Sequence, residues 1–223
     1  MRRSEEFAEL AHFLRERLER PLPGPKAHLA MAPYPKLLVG EGRREVEIKE
    51  WKAPEGARRG AVLCLLGPDA NGKPSVLLTR RSDKLKHHRG QISFPGGGVD
   101  AGETPLQAAL REAREEVGLS DESFVVLGAL SNLYIPPSGN FVTPFLATAS
   151  TVLDPVPDPE EVEEVFWVKI ELLARPETLK RSELIRPNYG LVPYFDVHPH
   201  VPLWGATAMM LNELLEVWKE FRG

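Results

Sequence analysis

Apolar positions recur along the chain with two different periods, and the change of period marks its elements. Between residues 4 and 20, Phe7, Leu10, Ala11, Leu14 and Leu18 fall on one helical face, with Ser4 placed to cap and Glu5 and Glu6 suited to the first turn. Pro21, Pro23 and Pro25 end that helix, and the segment 22–33 reads as irregular. Val46 and Ile48 suggest a short strand. Residues 61–66 and 75–79 are apolar runs of strand length joined by a turn centred on Asn71-Gly72, a hairpin signal. Further strands are expected near 124–130, at 141–148 and at 164–168. A closing helix over 206–221 presents Met210, Leu211, Leu214, Leu215 and Trp218 to a core. This alternation indicates a mixed α and β protein without internal repeats.

The helix of greatest interest follows a glycine turn at Gly96-Gly97-Gly98. Pro105 suits its first turn and Gly118 its stop, and Leu106, Ala109, Leu110, Ala113 and Val117 form its apolar face. At roughly 100° per residue, Glu112, Glu115 and Glu116 share another sector, with Arg111 one turn before Glu115 and able to brace it. Like charges at this spacing destabilise a helix, so on its own the segment would read as a solvated acidic face. Three carboxylates beside a glycine turn point instead to a cation, and hard oxygen ligands suit Mg²⁺ or Mn²⁺.

These residues match a family. Gly97, Glu103, Arg111, Glu112, Glu115, Glu116, Gly118 and Leu119 fill every fixed position of the Nudix box, so that the run 97–119 resembles that of Nudix hydrolases. The resemblance implies an α+β fold, a mixed β-sheet sandwiched between α-helices, in a single domain over 1–223 with residues 1–55 as an N-terminal helix and extension. It implies metal-dependent hydrolysis of a nucleoside diphosphate derivative. It assigns the catalytic and metal-holding roles to Glu112, Glu116 and Glu115, with the Gly97 carbonyl as a backbone ligand, Arg111 as the residue that orients the glutamates, and Glu103 as a metal-water contact or a structural residue.

Upstream, Leu77-Leu78-Thr79, Arg81, Ser82, Gly90 and Phe94-Pro95-Gly96-Gly97 resemble the signature of the coenzyme A pyrophosphatase branch, with Lys86 where that pattern has arginine. Lysine keeps the charge but not the planar bidentate fork. The same stretch holds five basic residues (80, 81, 84, 86 and 89) against Asp83 in a chain of formal net charge −4, a concentration that suits a polyphosphate. Substrate binding is therefore expected from Arg80, Arg81, Lys86, Arg89 and Phe94. His87 and His88 are adjacent, point in different directions and suit Mg²⁺ poorly.

Composition narrows the setting. The chain has 223 residues, 42% hydrophobic and 27% charged, which is ordinary for a globular protein able to bury a substantial core. No apolar run approaches the roughly 20 residues of a membrane span, and the N-terminal stretch lacks the apolar segment of a signal peptide, so a cytoplasmic protein without a membrane partner is expected. Net acidity argues against nucleic acid as a partner. The single cysteine, Cys64, lies in an apolar run and reads as a core thiol. The resemblance allows a homodimer, although no segment marks an interface.

Three further regions border the expected pocket. The loop 134–144 carries Tyr134 and Phe141, placed to meet an adenine or pantetheine group or to serve only as structure. Glu160, Glu161, Glu163 and Glu164 form an acidic run that reads first as solvated; some Nudix enzymes draw a further ligand or base from this part of the chain. Thr207 reads as a helix cap. Coenzyme A or an acyl-CoA is the expected substrate, with ADP-ribose or another nucleoside diphosphate derivative as the alternative. A module that binds a nucleotide without cleaving it is the remaining reading.

Overall fold

A computed structural model describes residues 2–32, 53–86, 88–186 and 190–223. Its helices and strands are, in chain order, α1 (Arg2–Leu18), α2 (Pro25–Ala30), β1 (Arg58–Pro68), β2 (Pro74–Arg81), β3 (Ile92–Ser93), β4 (Gly96–Gly98), α3 (Pro105–Val117), β5 (Val125–Ala129), β6 (Leu133–Ile135), β7 (Asn140–Thr148), β8 (Val162–Lys169), α4 (Ile170–Leu173), β9 (Leu179–Ser182), β10 (Val192–Phe195), β11 (Leu203–Trp204) and α5 (Gly205–Arg222). The expected strand at Val46 and Ile48 lies outside the described residues, as does His87.

The large sheet runs β3-β2-β1-β7-β5, with β4 added to β1, β6 to β7 and β8 to β2. β1 and β7 pair in parallel and the other pairs are antiparallel, so the sheet is mixed. The continuous apolar run in β1 follows from burial on both faces. Leu63 and Leu65 pack with Ala113 and Val117 of α3, while Cys64 and Leu66 join a core with Leu10 and Leu14 of α1 and Leu211 and Leu214 of α5. Helices thus cover both faces of the sheet, as the pattern of elements required. A second sheet, β11-β10-β9, was not visible in the pattern, its strands being only two to four residues long.

Local chemistry explains the boundaries. The β1–β2 turn closes because the Asp69 carboxylate accepts the N–H groups of Asn71 and Lys73 at 2.8 Å each, while Gly72 takes φ 72°. The loop expected at 134–144 is mostly strand, with only 136–139 left as the turn between β6 and β7. Ser4 lies inside α1 and not at its cap, and Thr207 is buried within α5 with Trp204 at the cap position.

The segment 22–33 is not irregular throughout, since α2 forms within it. Its organiser is distant in sequence. Glu213 of α5, fully buried, accepts the N–H of Gly24 at 2.8 Å and of Ser131 at 3.0 Å, and its other partner is His28 Nε2 at 3.2 Å. Burial pushes the Glu213 carboxyl up, but hydrogen bonds from His28 and Ser131, the charge of His28 and the Gly24 N–H outweigh it and hold the group below its ordinary value. Such a carboxylate stabilises the fold above the ordinary glutamate range, and the contribution is lost as pH falls through the lowered folded value. Glu213→Ala should cost about 3–5 kcal/mol at neutral pH by stranding its donors. In urea titrations the difference from wild type should shrink once pH drops below about 4; a difference that stays constant to pH 3 would contradict this account.

Candidate active site

Helix α3 is fixed at both ends by its own sequence. Thr104 and Gln107 form a capping box, and Gly118 closes the helix in the left-handed region at φ 64°. Ala109, Ala113 and Val117 of the expected apolar face are buried together with Ala108, while Leu106 and Leu110 are half-buried. The buried face is therefore turned toward β4, and it takes Glu116 with it. That carboxylate, expected in a polar sector, is 1% exposed.

The glycines opposite are not a turn. Gly96–Gly98 is a short strand against Gly60–Val62 of β1. A Cβ on Gly96, at φ 153°, would stand 2.3 Å from the Ala61 carbonyl oxygen, and one on Gly97 would stand 2.3 Å from Glu112 Oε1. Glycine here lets a helical carboxylate lie directly on backbone. The Gly96 N–H donates to Glu116 Oε2 at 3.0 Å, and Arg81 donates to Glu116 Oε1 at 3.1 Å. The Gly97 carbonyl oxygen lies on the β1 side, 3.1 Å from where a Gly60 Cβ would be.

Arg111 braces the outer side of the group. It donates to Glu103 at 3.0 and 3.2 Å, to Glu112 at 2.8 Å, to Glu115 at 2.9 Å and to the Gly98 carbonyl at 3.0 Å. Glu103 also accepts the Asp100 N–H, so its part is to hold Arg111. Glu115 is exposed and is bound by the same Arg111 nitrogen that holds Glu112.

The third converging carboxylate is Glu161. Oxygens of Glu112, Glu116 and Glu161 lie within 4.8 Å of one another. Three backbone hydrogen bonds deliver it: the Asp158 and Val156 N–H groups bond the Glu116 and Val117 carbonyls, and the Ser82 N–H bonds the Glu161 carbonyl at 2.8 Å. Nothing local distinguishes Glu161 from Glu160, Glu163 and Glu164, and only this docking selects it. Three hard carboxylate donors converging from two elements fit Mg²⁺ or Mn²⁺. Burial, opposed by Arg111, raises the Glu112 carboxyl above its ordinary value. Burial also raises Glu116 to about 7, against the Gly96 N–H and Arg81 and with help from Glu112 and Glu161.

The basic stretch divides in two. Arg80 faces away from α3 and lies 3.7–3.8 Å from Asp83, Glu163 and Glu164, Arg81 is held by Glu116, and Lys84 pairs with Glu160 at 2.7 Å. Lys86 and Arg89 are exposed on the same loop, without an ion-pair partner among the described residues. Phe94, expected at the substrate, is 1% exposed and belongs to the core, where it anchors the backbone entering β4.

The model of the NUDIX domain matches residues 57–188, more than half of the chain, and spans this whole arrangement. The chain belongs to the Nudix family. It is 34% identical to Nudix hydrolase 3 of Caenorhabditis elegans over 161 residues, which span 65% of this chain and 67% of that protein. It is 35% identical to the uncharacterized Nudix hydrolase NudL of Citrobacter koseri over 165 residues, 72% of this chain and 83% of that one. The crystal structure of the Nudix hydrolase RenU from M. smegmatis covers 74% of this chain and 87% of its own, with 28% identity and a TM-score of 0.53. Nudix hydrolases act on small-molecule substrates and generally need divalent metal ions, for which the carboxylate cluster is the fitting place. No helix among the described residues is long and apolar enough to cross a membrane.

Two outcomes follow for the metal-free Nudix protein. Gly97→Ala should displace only the carboxylate end of the Glu112 side chain, leaving thermal stability near wild type while Mn²⁺ affinity in calorimetric titration falls about 10–100-fold; unchanged affinity would refute the close approach. A carboxyl raised in the folded state adds stability that is fully present below the ordinary glutamate value and lost as pH rises through about 7. Glu116→Gln should therefore be the more stable protein above that pH, by on the order of 1–3 kcal/mol, with the advantage gone near pH 4. Added Mn²⁺ should reverse the order, and equal melting temperatures across the range would contradict the shift.

Proposed function

We propose that this Nudix hydrolase cleaves the diphosphate linkage of coenzyme A or an acyl-CoA, giving 3′,5′-ADP and 4′-phosphopantetheine or its acylated form. The observation that carries this reading is that the upstream signature and the Nudix box share one carboxylate. Arg81 and Gly96, both signature positions, supply the two hydrogen bonds that hold Glu116 of the box. The similarity to NudL of Citrobacter koseri, which spans most of that protein, agrees with it.

Glu112, Glu116 and Glu161 would hold the divalent ions, and the Gly97 backbone admits Glu112 to that position. A bound Mg²⁺ or Mn²⁺ there supplies charge neutralisation for the diphosphate and a lowered pKa for water. The chain's own residues do the rest. Arg111 fixes the Glu112 and Glu115 carboxylates in place. One carboxylate of the cluster accepts the proton of the attacking water; Glu112, Glu116 and Glu161 each stand close enough to one another to share that water. Lys86 and Arg89 are the cations of the loop left to meet phosphate oxygens, which they would hold by charge-assisted hydrogen bonds. Glu115, held at the rim by Arg111, takes a supporting place.

The test is incubation with coenzyme A and Mg²⁺ or Mn²⁺, with products identified by mass spectrometry and ADP-ribose run in parallel. Metal-dependent release of 3′,5′-ADP is expected, falling by at least about a hundredfold in Glu116→Gln. Intact coenzyme A beside cleaved ADP-ribose would transfer the activity to another nucleoside diphosphate derivative and implicate Lys86. Near-normal turnover in Glu116→Gln would remove that residue from the centre of the site.

A further inference from the structure

β2 and β8 pair regularly up to Arg80↔Glu164, and the next pair is Arg81↔Val162, which leaves Glu163 as an extra residue in β8. The consequence is positional. A regular ladder would set Glu161 opposite Asp83, out in the loop. The bulge advances β8 by one residue, so that Glu161 stands opposite Ser82 and accepts its N–H at 2.8 Å. Glu161 is the residue directly before β8, so where its backbone stands along β2 follows from this step.

What holds it lies on the other face of the sheet. Arg80 and Glu164 are direct partners across the two strands, and the Arg80 guanidinium lies 3.7 Å from the extra residue Glu163 and 3.8 Å from Glu164. Glu164 Oε2 is in turn 3.1 Å from Nε2 of His198, in the segment between β10 and β11. The His198 side chain is 6% exposed, and its ring centroid is 5.4 Å from that of Phe166 in β8. Its Nδ1 receives the N–H groups of His200 at 3.2 Å and Val201 at 3.1 Å. A ring nitrogen accepting two backbone N–H groups carries no proton, so Nε2 carries it and donates to Glu164. Both ring nitrogens are thus committed, Nδ1 to the backbone and Nε2 to Glu164.

We propose that His198 is a positioning residue for the metal-holding carboxylates. Through Glu164 and Arg80 it pins the β2–β8 bulge from the far face, and so fixes where Glu161 stands relative to Glu112 and Glu116. The role rests on the reading of those three glutamates as the metal site, and it needs no particular substrate. It parallels the outer partners that orient metal ligands, although here the connection passes through a strand register and not through a direct hydrogen bond to the ligand.

The experiment is Mn²⁺ titration followed by the electron paramagnetic resonance signal of free ion, with no diphosphate present, together with thermal unfolding. Wild type should bind and Glu112→Gln should not; if those two behave alike, the metal site itself is wrongly placed and the role of His198 falls with it. Given that control, His198→Ala should bind Mn²⁺ about tenfold more weakly, and His198→Gln should restore wild-type affinity because its amide N–H can still reach Glu164. Wild-type affinity in His198→Ala overturns the proposal, as does equal weakening in both variants, which would mean lost packing alone. Should His198→Ala fail to fold, Glu164→Ala, at a half-exposed side chain, makes the same test: weakened binding supports the proposal and unchanged binding overturns it.

Discussion

Carboxylates brought together repel, and the arrangement around α3 follows from containing that repulsion. Oxygens of three glutamates within 4.8 Å of one another cost at least about 3 kcal/mol per charged pair at an effective dielectric near 20. Two arginines offset it from opposite sides. Arg111 gathers Glu103, Glu112 and Glu115 on the outer side, and Arg81 meets Glu116 on the inner side. Burial of Glu116 then requires a backbone donor, which the Gly96 N–H provides, and a strand without side chains at the approach of Glu112. The glycines, the two arginines and the glutamates answer one electrostatic problem.

Most of the frame was legible because it rests on local signals. The hairpin at Asn71-Gly72, the apolar β1, the box helix between Pro105 and Gly118 and the closing helix all carry period, cap or turn chemistry in neighbouring residues. What escaped depends on residues far apart. α2 forms where prolines suggested irregular chain, because Glu213, nearly two hundred positions away, accepts its entering N–H. Phe94 sits in a functional signature for the sake of the core. Glu115 and Glu116 are neighbours of the same type, and only the tilt of α3 against β4 decides that one is buried and the other exposed.

Glu161 shows the limit most clearly. Within a run of four glutamates, residue type and spacing carry no preference. Selection comes from two separate docking events: the loop 156–158 hydrogen-bonds to the last turn of α3, and β8 meets β2 with one extra residue. Each is a tertiary feature that a single sequence does not print. The charge run at 80–89 misleads in the complementary way. Its sum suggests that Arg80, Arg81, Lys86 and Arg89 all meet one polyphosphate, whereas pairing with nearby acids leaves Lys86 and Arg89 exposed and unpaired among the described residues.

The two adjacent arginines of β2 explain why the pairing took that form. Successive side chains of a strand point to opposite faces. Arg81 therefore reaches the carboxylate cluster, and Arg80 can only reach the other side, where Glu163, Glu164 and, through Glu164, His198 await it. A bulge between them would cost stability if left free, since its extra residue loses ladder hydrogen bonds. Ion pairs on the far face offset that cost without adding charge to the near face. One strand thus separates two tasks by parity alone, with the charge that meets the cluster on one side and the charge that keeps the register on the other.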